Sequence, residues 1–415
     1  MAENDYSWSF YTLLLVTSQC HSHFGRLPLP PEIPLTDLAR SQPAAPDYVD
    51  RKRIGWLLSV LFPLLPVAAI GLQIALGSEW LLFVPLLVVY GVVPLLDVLL
   101  GEDVSNPPEA AVAKLESDRY YRALTWLTVP IHYVSLVIMA YWAVSTSLGW
   151  PGWLALAWSA GLVGGLAVNT GHELGHKRTT LEQVLARLAL AVPGYGHFGV
   201  EHNFGHHRAV ATPEDSASAR FGESIYCFAR REIPGGMRRA LAIEARRQAR
   251  RGRGFWTPGN EILQSWLVTL LVQGALITWL GWEALAFLLV HNAVAWWQLT
   301  SANYVEHYGL LRARLPGGGY ERCRPHHSWN SNHLVSNLLL FHLERHSDHH
   351  AHPQRRYQSL RDFPDLPRLP GGYFGMFVLA YLPPLWFRVM NPRLLALPHV
   401  QNDLSRVNRG QPESA

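Results

Sequence analysis

Lysine and arginine are missing from three long stretches of this sequence: Ile54 to Ala113, Ala123 to His176 and Gly254 to Leu311. Charged residues make up 16% of the 415 while AVILMFWYC residues reach 49%, a balance that argues against two soluble domains and for one membrane body with polar additions. Cysteine is almost as scarce. Cys20, Cys227 and Cys323 are scattered with no CxxC pair, which excludes a disulfide framework and any cysteine-held zinc, iron–sulfur or rubredoxin-type site. Nucleic-acid motifs and long Lys/Arg tracts are absent too, so the net charge of +4 and the pI of about 9.0 point to a membrane surface and to no nucleic-acid partner. The apolar run Phe10 to Val16 is too short to span a bilayer and lacks a basic lead, so a cleaved leader is not expected. Residues 1–50 read as a disordered or loosely attached cytosolic tail.

The basic-free stretches hold apolar runs of the ~20 residues that a bilayer requires. The spacing predicts spans over about 54–76, 80–100, 124–144, 153–171, 262–280 and 282–300, paired as three helical hairpins by short turns at Gly77 to Glu79, SLGWPG and Gly281. No Lys or Arg lies in those turns, whereas 101–122, 177–253 and the chain from 312 onward carry all those beyond Arg53. The positive-inside rule then sets both termini and every long loop in the cytosol. The expected fold is an all-α integral membrane protein: a six-helix body over 51–302, a cytosolic insertion at 172–260, a cytosolic segment at 303–370, and an interfacial helix and tail over 371–415. Within the insertion, Met237 to Arg250 reads as a basic helix on anionic lipid or as a docking surface for an acidic partner, through Arg238, Arg239, Arg246, Arg247 and Arg250. Pro383 and Pro384 interrupt the late apolar stretch Tyr373 to Met390, which therefore reads as packed or interfacial, not as a seventh span.

Histidine is what the polar segments have in abundance. In HELGH, His172 and His176 are four apart, so a helix presents both rings on one face and can grip one metal. His202 and His206 in HNFGHH repeat that spacing, with His207 displaced toward a possible second metal. His346, His349 and His350 in HSDHH fall on one helical face, and His307 in NYVEHYG stands just beyond the last span. Nine imidazoles exceed what one ion takes and suit two ions with open positions, a setting that favours iron over zinc because iron binds dioxygen and changes oxidation state. Glu173, Glu201, Glu306 and Asp348 sit beside these rings and could orient them or balance the metal charge. Gly175 and Gly205 would let backbones approach closely there. His132 and His291 lie inside spans as hydrogen-bonded neutral rings; His326, His327, His333 and His342 could shape the pocket; His21, His23, His197, His352 and His399 are not expected to be ligands.

HELGHK, EHNFGHH, NYVEHYGL and HSDHHAH together resemble the membrane alkane 1-monooxygenase family, a branch of the histidine-rich di-iron proteins that include fatty-acid desaturases and hydroxylases. The likeness runs from about Ala45 to Pro370 and takes in GEDVSNPPE, REIPG, WWQLTSANY and YQSLRDFP. It implies a non-haem centre of two iron ions held by the nine histidines, with O₂ as co-substrate, which converts an n-alkane drawn from the bilayer into the primary alcohol. It also implies two electrons relayed from NAD(P)H by a reductase and rubredoxin, in the cell inner membrane. Rival readings are a fatty-acid or alkyl-aromatic hydroxylase, a desaturase, an HExxH zinc protease with Glu173 as base, and a divalent-metal transporter. On the second span, Val89, Val93 and Leu96 share one helical face; as a tunnel wall they would set substrate length, and the small Val89 would admit alkanes beyond about a dozen carbons.

Overall fold

The computed structural model describes residues 48–410, so the expected tail lies almost wholly outside the described residues, as do Cys20, His21 and His23. Among the described residues there are helices and isolated bridges but no strand. The turns act where glycine or a cap allows. Gly77 at φ 68° ends helix Leu57–Leu76 before helix Glu79–Leu100, and Gly281 at φ 93° separates Glu261–Leu280 from Trp282–His307. Asp118 accepts from Tyr120 N at the start of Arg119–Ser145, and Asn260 from Ile262 N and Leu263 N at the start of Glu261–Leu280.

Among the described residues, five helices are long and apolar enough to cross a membrane: Leu57–Leu76, Glu79–Leu100, Arg119–Ser145, Trp150–Gly175 and Glu261–Leu280. The all-helical membrane architecture expected from sequence is therefore present, with a difference at the sixth expected span. Trp282–His307 is a continuous 26-residue helix, but it does not reach the apolarity of the other five. His291, Asn292 and Gln298 interrupt its apolar run, and His291 and Gln298 are buried against neighbours. Tyr373–Ala380 and Pro383–Leu395 meet at a 119° bend, as the proline pair requires. Trp80, Trp150 and Trp282, one at each hairpin turn, are 73%, 78% and 76% exposed, where an aromatic ring suits the edge of a bilayer.

Trp150–Gly175 is the central helix and packs most extensively on Trp282–His307. Small residues make this possible. A Cβ at Gly161 would lie 2.4 Å from Val294 Cβ, and one at Gly165 2.7 Å from Gln298 Cβ. Both helices end in ligand candidates, His172 and His307, so their close approach sets the spacing of the histidine groups. We expect Gly161→Val to force the two helices apart at a cost of about 1–3 kcal/mol. Thermal unfolding in micelles should show a lower midpoint; an unchanged midpoint would contradict the packing.

Candidate metal centre

The nine histidines converge into two groups. His172, His176, His202, His207 and His349 form one, and His206, His307, His346 and His350 the other, with the ligating atoms of each group within 4.8 Å of one another. Sequence spacing alone paired His202 with His206 and put His346, His349 and His350 on one face; the structure divides both sets. The cause at the first set is a π-helix over His202–His206, which brings residues five apart onto one face, so His202 meets His207 at 3.0 Å between Nε2 atoms and His206 turns away. In the short helix His346–Ala351 the i,i+4 pair His346 and His350 stays together at 2.9 Å, while His349 turns to His172, also at 2.9 Å.

The donor geometry fits a cation in each group. Nε2 atoms of His176 and His202 lie 3.2 Å apart and those of His307 and His346 3.1 Å. Nitrogens bound at about 2.0–2.1 Å to one ion would be separated by roughly 3 Å. Neutral imidazoles facing one another can share only one proton per pair, whereas an ion accepts every lone pair. The Nε2 of His206 is buried and without a hydrogen-bond partner among the described residues, so its lone pair is available to a cation. Burial, reinforced by neighbouring rings, holds His202, His207, His349 and His350 well below the usual histidine range, so these rings are neutral and able to ligate.

The acids flanking the motifs have separate partners. Glu173 is 3.0 Å from Lys177 and accepts from Tyr357 N at 3.3 Å. Glu201 accepts from Arg239 Nε at 2.8 Å. Asp348 holds His352 Nδ1, Arg355 and Arg361 N, each at 2.9 Å. Glu306 is the member nearest a candidate ligand, with Oε2 3.4 Å from His346 Nε2. Glu173, committed to Lys177, is not free to act as the base of an HExxH protease.

The carboxylate that takes the second nitrogen of a ligand ring is Asp215, which sequence reasoning missed. Its Oδ2 meets His206 Nδ1 at 2.9 Å and accepts from Ser218 Oγ at 2.7 Å, while Arg239 binds it and Glu201 together. Burial alone would raise Asp215, yet His206 and Arg239 hold it well below the usual carboxylate range; burial alone would likewise depress His206, and Asp215 raises it. The signal available was an acidic pair and two serines, EDSAS, starting seven residues beyond HH, in a loop whose path no periodicity fixes. Glu232, in REIPG, was also missed. It accepts from Thr300 Oγ1 at 2.8 Å and Asn303 Nδ2 at 3.1 Å.

Arg239 and Arg247 thus point inward, Arg247 to Glu244 and Glu261 over the Phe204 ring, and Arg238, Arg246 and Arg250 remain on the exposed face of helix Ile225–Arg250. A Cβ on Gly205 would lie 3.0 Å from Arg239 Nε, so this helix presses directly on the π-turn; at Gly175 the nearest atom would be an ordinary 3.7 Å away. His132 contacts Thr170 Oγ1 at 3.2 Å and His291 contacts Asn292 Oδ1 at 2.8 Å, away from both groups. His342 bonds Tyr357 O and His333 bonds Ser331 Oγ.

A narrow apolar cavity of about 60 Å³ opens onto both histidine groups through His172, His202 and His346. Its polar wall residues are largely committed elsewhere: Asn169 donates to Leu340 O at 2.8 Å, Gln298 to Tyr90 OH at 3.0 Å and Asn303 to Glu232. Among the described residues no Lys or Arg lines it. A smaller cavity adjoins it, sharing Phe62, Val89, Leu162 and Leu166 as a common wall. Val93 packs in the core and Leu96 is half-buried, and neither lines the cavity. A π-helix over Val88–Val92 inserts a residue into this span and rotates Val93 and Leu96 off the face of Val89.

Comparison with known proteins adds the following. Residues 148–388 match the family described as Fatty acid desaturase. The chain is 55% identical over 376 residues to alkane 1-monooxygenase 1 of Alcanivorax borkumensis, covering 90% of this chain and 92% of the relative. It is 54% identical over 367 residues to the alkane 1-monooxygenase of Pseudomonas putida, covering 88% and 90%. The hydroxylase component of a xylene/toluene monooxygenase from Pseudomonas putida is 30% identical over 246 residues, 58% of this chain and 63% of that protein.

Proposed function

The chain belongs to the alkane 1-monooxygenases of the fatty acid desaturase family, multi-pass membrane oxidoreductases with a histidine-rich metal centre, and from that premise we propose that it hydroxylates the terminal methyl of medium to long n-alkanes with O₂. The nine histidines hold two iron ions, one in each group, and electrons come from NAD(P)H through a reductase and rubredoxin. Orientation places both termini, the 172–260 insertion and the 303–370 segment on the cytosolic side of the inner membrane, following the distribution of Arg and Lys.

The observation that carries this reading is the apolar cavity that ends at His172, His202 and His346. Bound iron would supply O₂ binding and redox change. The chain's own residues do the rest. Leu162, Leu166, Phe374 and Phe377 line the cavity with hydrocarbon and exclude water, so an alkane already dissolved in lipid enters without desolvating any polar group. With no cation in the wall, a carboxylate headgroup has nothing to pair with inside, which favours an alkane over a fatty acid. Glu306, Asn303 and Tyr373 add polar groups to the wall, with Glu306 Oε2 3.4 Å from His346 Nε2. The test is to express the chain with rubredoxin and its reductase, supply a series of n-alkanes and identify the products. Primary alcohols support the reading; alkenes, alkyl-aromatic products alone, or no oxidation contradict it.

Val89 stands where the two cavities meet, so its bulk should gauge chain length. Val89→Trp puts an indole across the passage and leaves the histidines untouched. We expect turnover of alkanes longer than about a dozen carbons to fall at least tenfold while shorter ones are retained. An unchanged product profile, or equal loss at every length, would remove Val89 from the tunnel.

A further inference from the structure

Beyond the end of helix Trp282–His307 lies an open groove of about 1030 Å³, walled by residues of 311–326 and 399–410 together with Pro213 and Glu214. It stands at the upper edge of the ~300–1000 Å³ of a small-molecule site. Its lining carries four arginines, Arg312, Arg314, Arg324 and Arg406, against two acids, Glu214 and Glu321, an excess of two positive charges. Arg312 is buried as its floor and donates to Arg208 O at 2.8 Å, tying the groove to the turn that carries His207.

One wall of the groove touches the metal centre through a short chain of contacts. His326 lines the groove, and its ring lies 4.2 Å, centre to centre, from that of buried His327. The His327 ring is fixed by a hydrogen bond from Arg324 N at 2.9 Å, and its carbonyl accepts from His307 Nδ1 at 3.2 Å. His307 in turn presents Nε2 to the four-histidine group. The exposed arginines of helix Ile225–Arg250, Arg238, Arg246 and Arg250, lie on the face away from the Arg239 and Arg247 ion pairs.

We propose that this groove is the docking site of a small acidic one-electron carrier protein, and that electrons enter the four-histidine group by way of His326, His327 and His307. The inference rests on the O₂-dependent hydroxylation proposed above. Each turnover consumes two electrons and two protons: one oxygen atom enters the C–H bond as hydroxyl and the other leaves as water. The carrier supplies the electrons singly in two encounters, and solvent supplies the protons. Arginine on a concave face steers an acidic protein and sets its register, an effect that weakens with salt. His326 is a positioning residue that bridges the carrier to the buried ring.

The test uses the full chain, iron-loaded in lipid nanodiscs, with rubredoxin as the carrier. Calorimetry gives the Kd of oxidised rubredoxin at several ionic strengths, and stopped-flow absorbance gives the reduction rate by reduced rubredoxin and, separately, by dithionite. Arg314→Glu with Arg324→Glu should raise Kd by about tenfold or more and flatten its salt dependence. His326→Ala should leave Kd within about twofold while slowing reduction by rubredoxin about tenfold, with dithionite reduction unchanged in both variants. Arg238→Glu with Arg246→Glu and Arg250→Glu should bind as wild type. Wild-type binding by the groove variant, weakened binding by the helix variant instead, or full-speed reduction of His326→Ala would overturn the inference alone. A wild-type chain that hydroxylates no alkane and does not bind rubredoxin would overturn the proposed function with it.

Discussion

Replacing His346 by Ala should remove about half the metal and essentially all hydroxylation. His346 contacts two of the three other rings of its group, His307 at 3.1 Å and His350 at 2.9 Å, and it also lines the apolar cavity. Removing it leaves His206, His307 and His350 as the remaining donors of that group and opens a gap toward Glu306. Loss of a residue that merely supports a ligand costs about 10–100-fold in affinity or activity, so loss of a ligand should exceed 100-fold. The five-histidine group shares no ring with it and should keep its ion. The expected readout is metal per chain falling from about two to about one, with alcohol formation undetectable. Retention of both ions and of more than a tenth of the activity would take His346 out of the site.

The second large effect is expected at Asp215→Asn. The carboxylate fixes His206 through Nδ1, and it is itself clamped by Ser218 and Arg239. Asparagine keeps the shape but removes the charge that balances Arg239 and the imidazole, and its amide can present a donor to a ring nitrogen that needs an acceptor. We expect about 10–100-fold loss of hydroxylation together with faster loss of one ion to a chelator. Control substitutions at His399, which lies outside both groups, should leave metal content unchanged. Asp215→Asn with wild-type metal retention and rate would show that Arg239 and Glu201 alone position His206.

These two residues also mark what the sequence could and could not disclose. His346 was legible because metal chemistry demands a residue type that is otherwise rare next to apolar spans, and HSDHH concentrates it at helical spacing. Five of the six expected spans were legible from the Lys/Arg-free runs, within a few residues at each end; Arg119–Ser145 and Trp150–Gly175 extend past the expected 124–144 and 153–171 because polar ends can stay helical outside lipid. The division of ligands was not legible. It depends on a π-turn at His202–His206, whose extra residue per turn is stabilised by packing under Arg239 and Ile243 and leaves no mark in the spacing. The same kind of turn at Val88–Val92 kept Val89 in the cavity wall and moved Val93 and Leu96 away from it. Asp215 was hidden because a loop brings it back to His206, and the inward turn of Arg239 was hidden because a helix rich in arginine looks uniformly solvated until its partners Glu201 and Asp215 are placed.

The claim on which the rest depends is that five and four histidines hold two separate iron ions. Metal analysis of the purified full chain tests it most directly: elemental content of the wild type beside His346→Ala and His176→Ala, one variant from each group. Two irons per chain in the wild type, with about one remaining in each single variant, is the expected result. A single zinc per chain, or two irons retained in both variants, would contradict it.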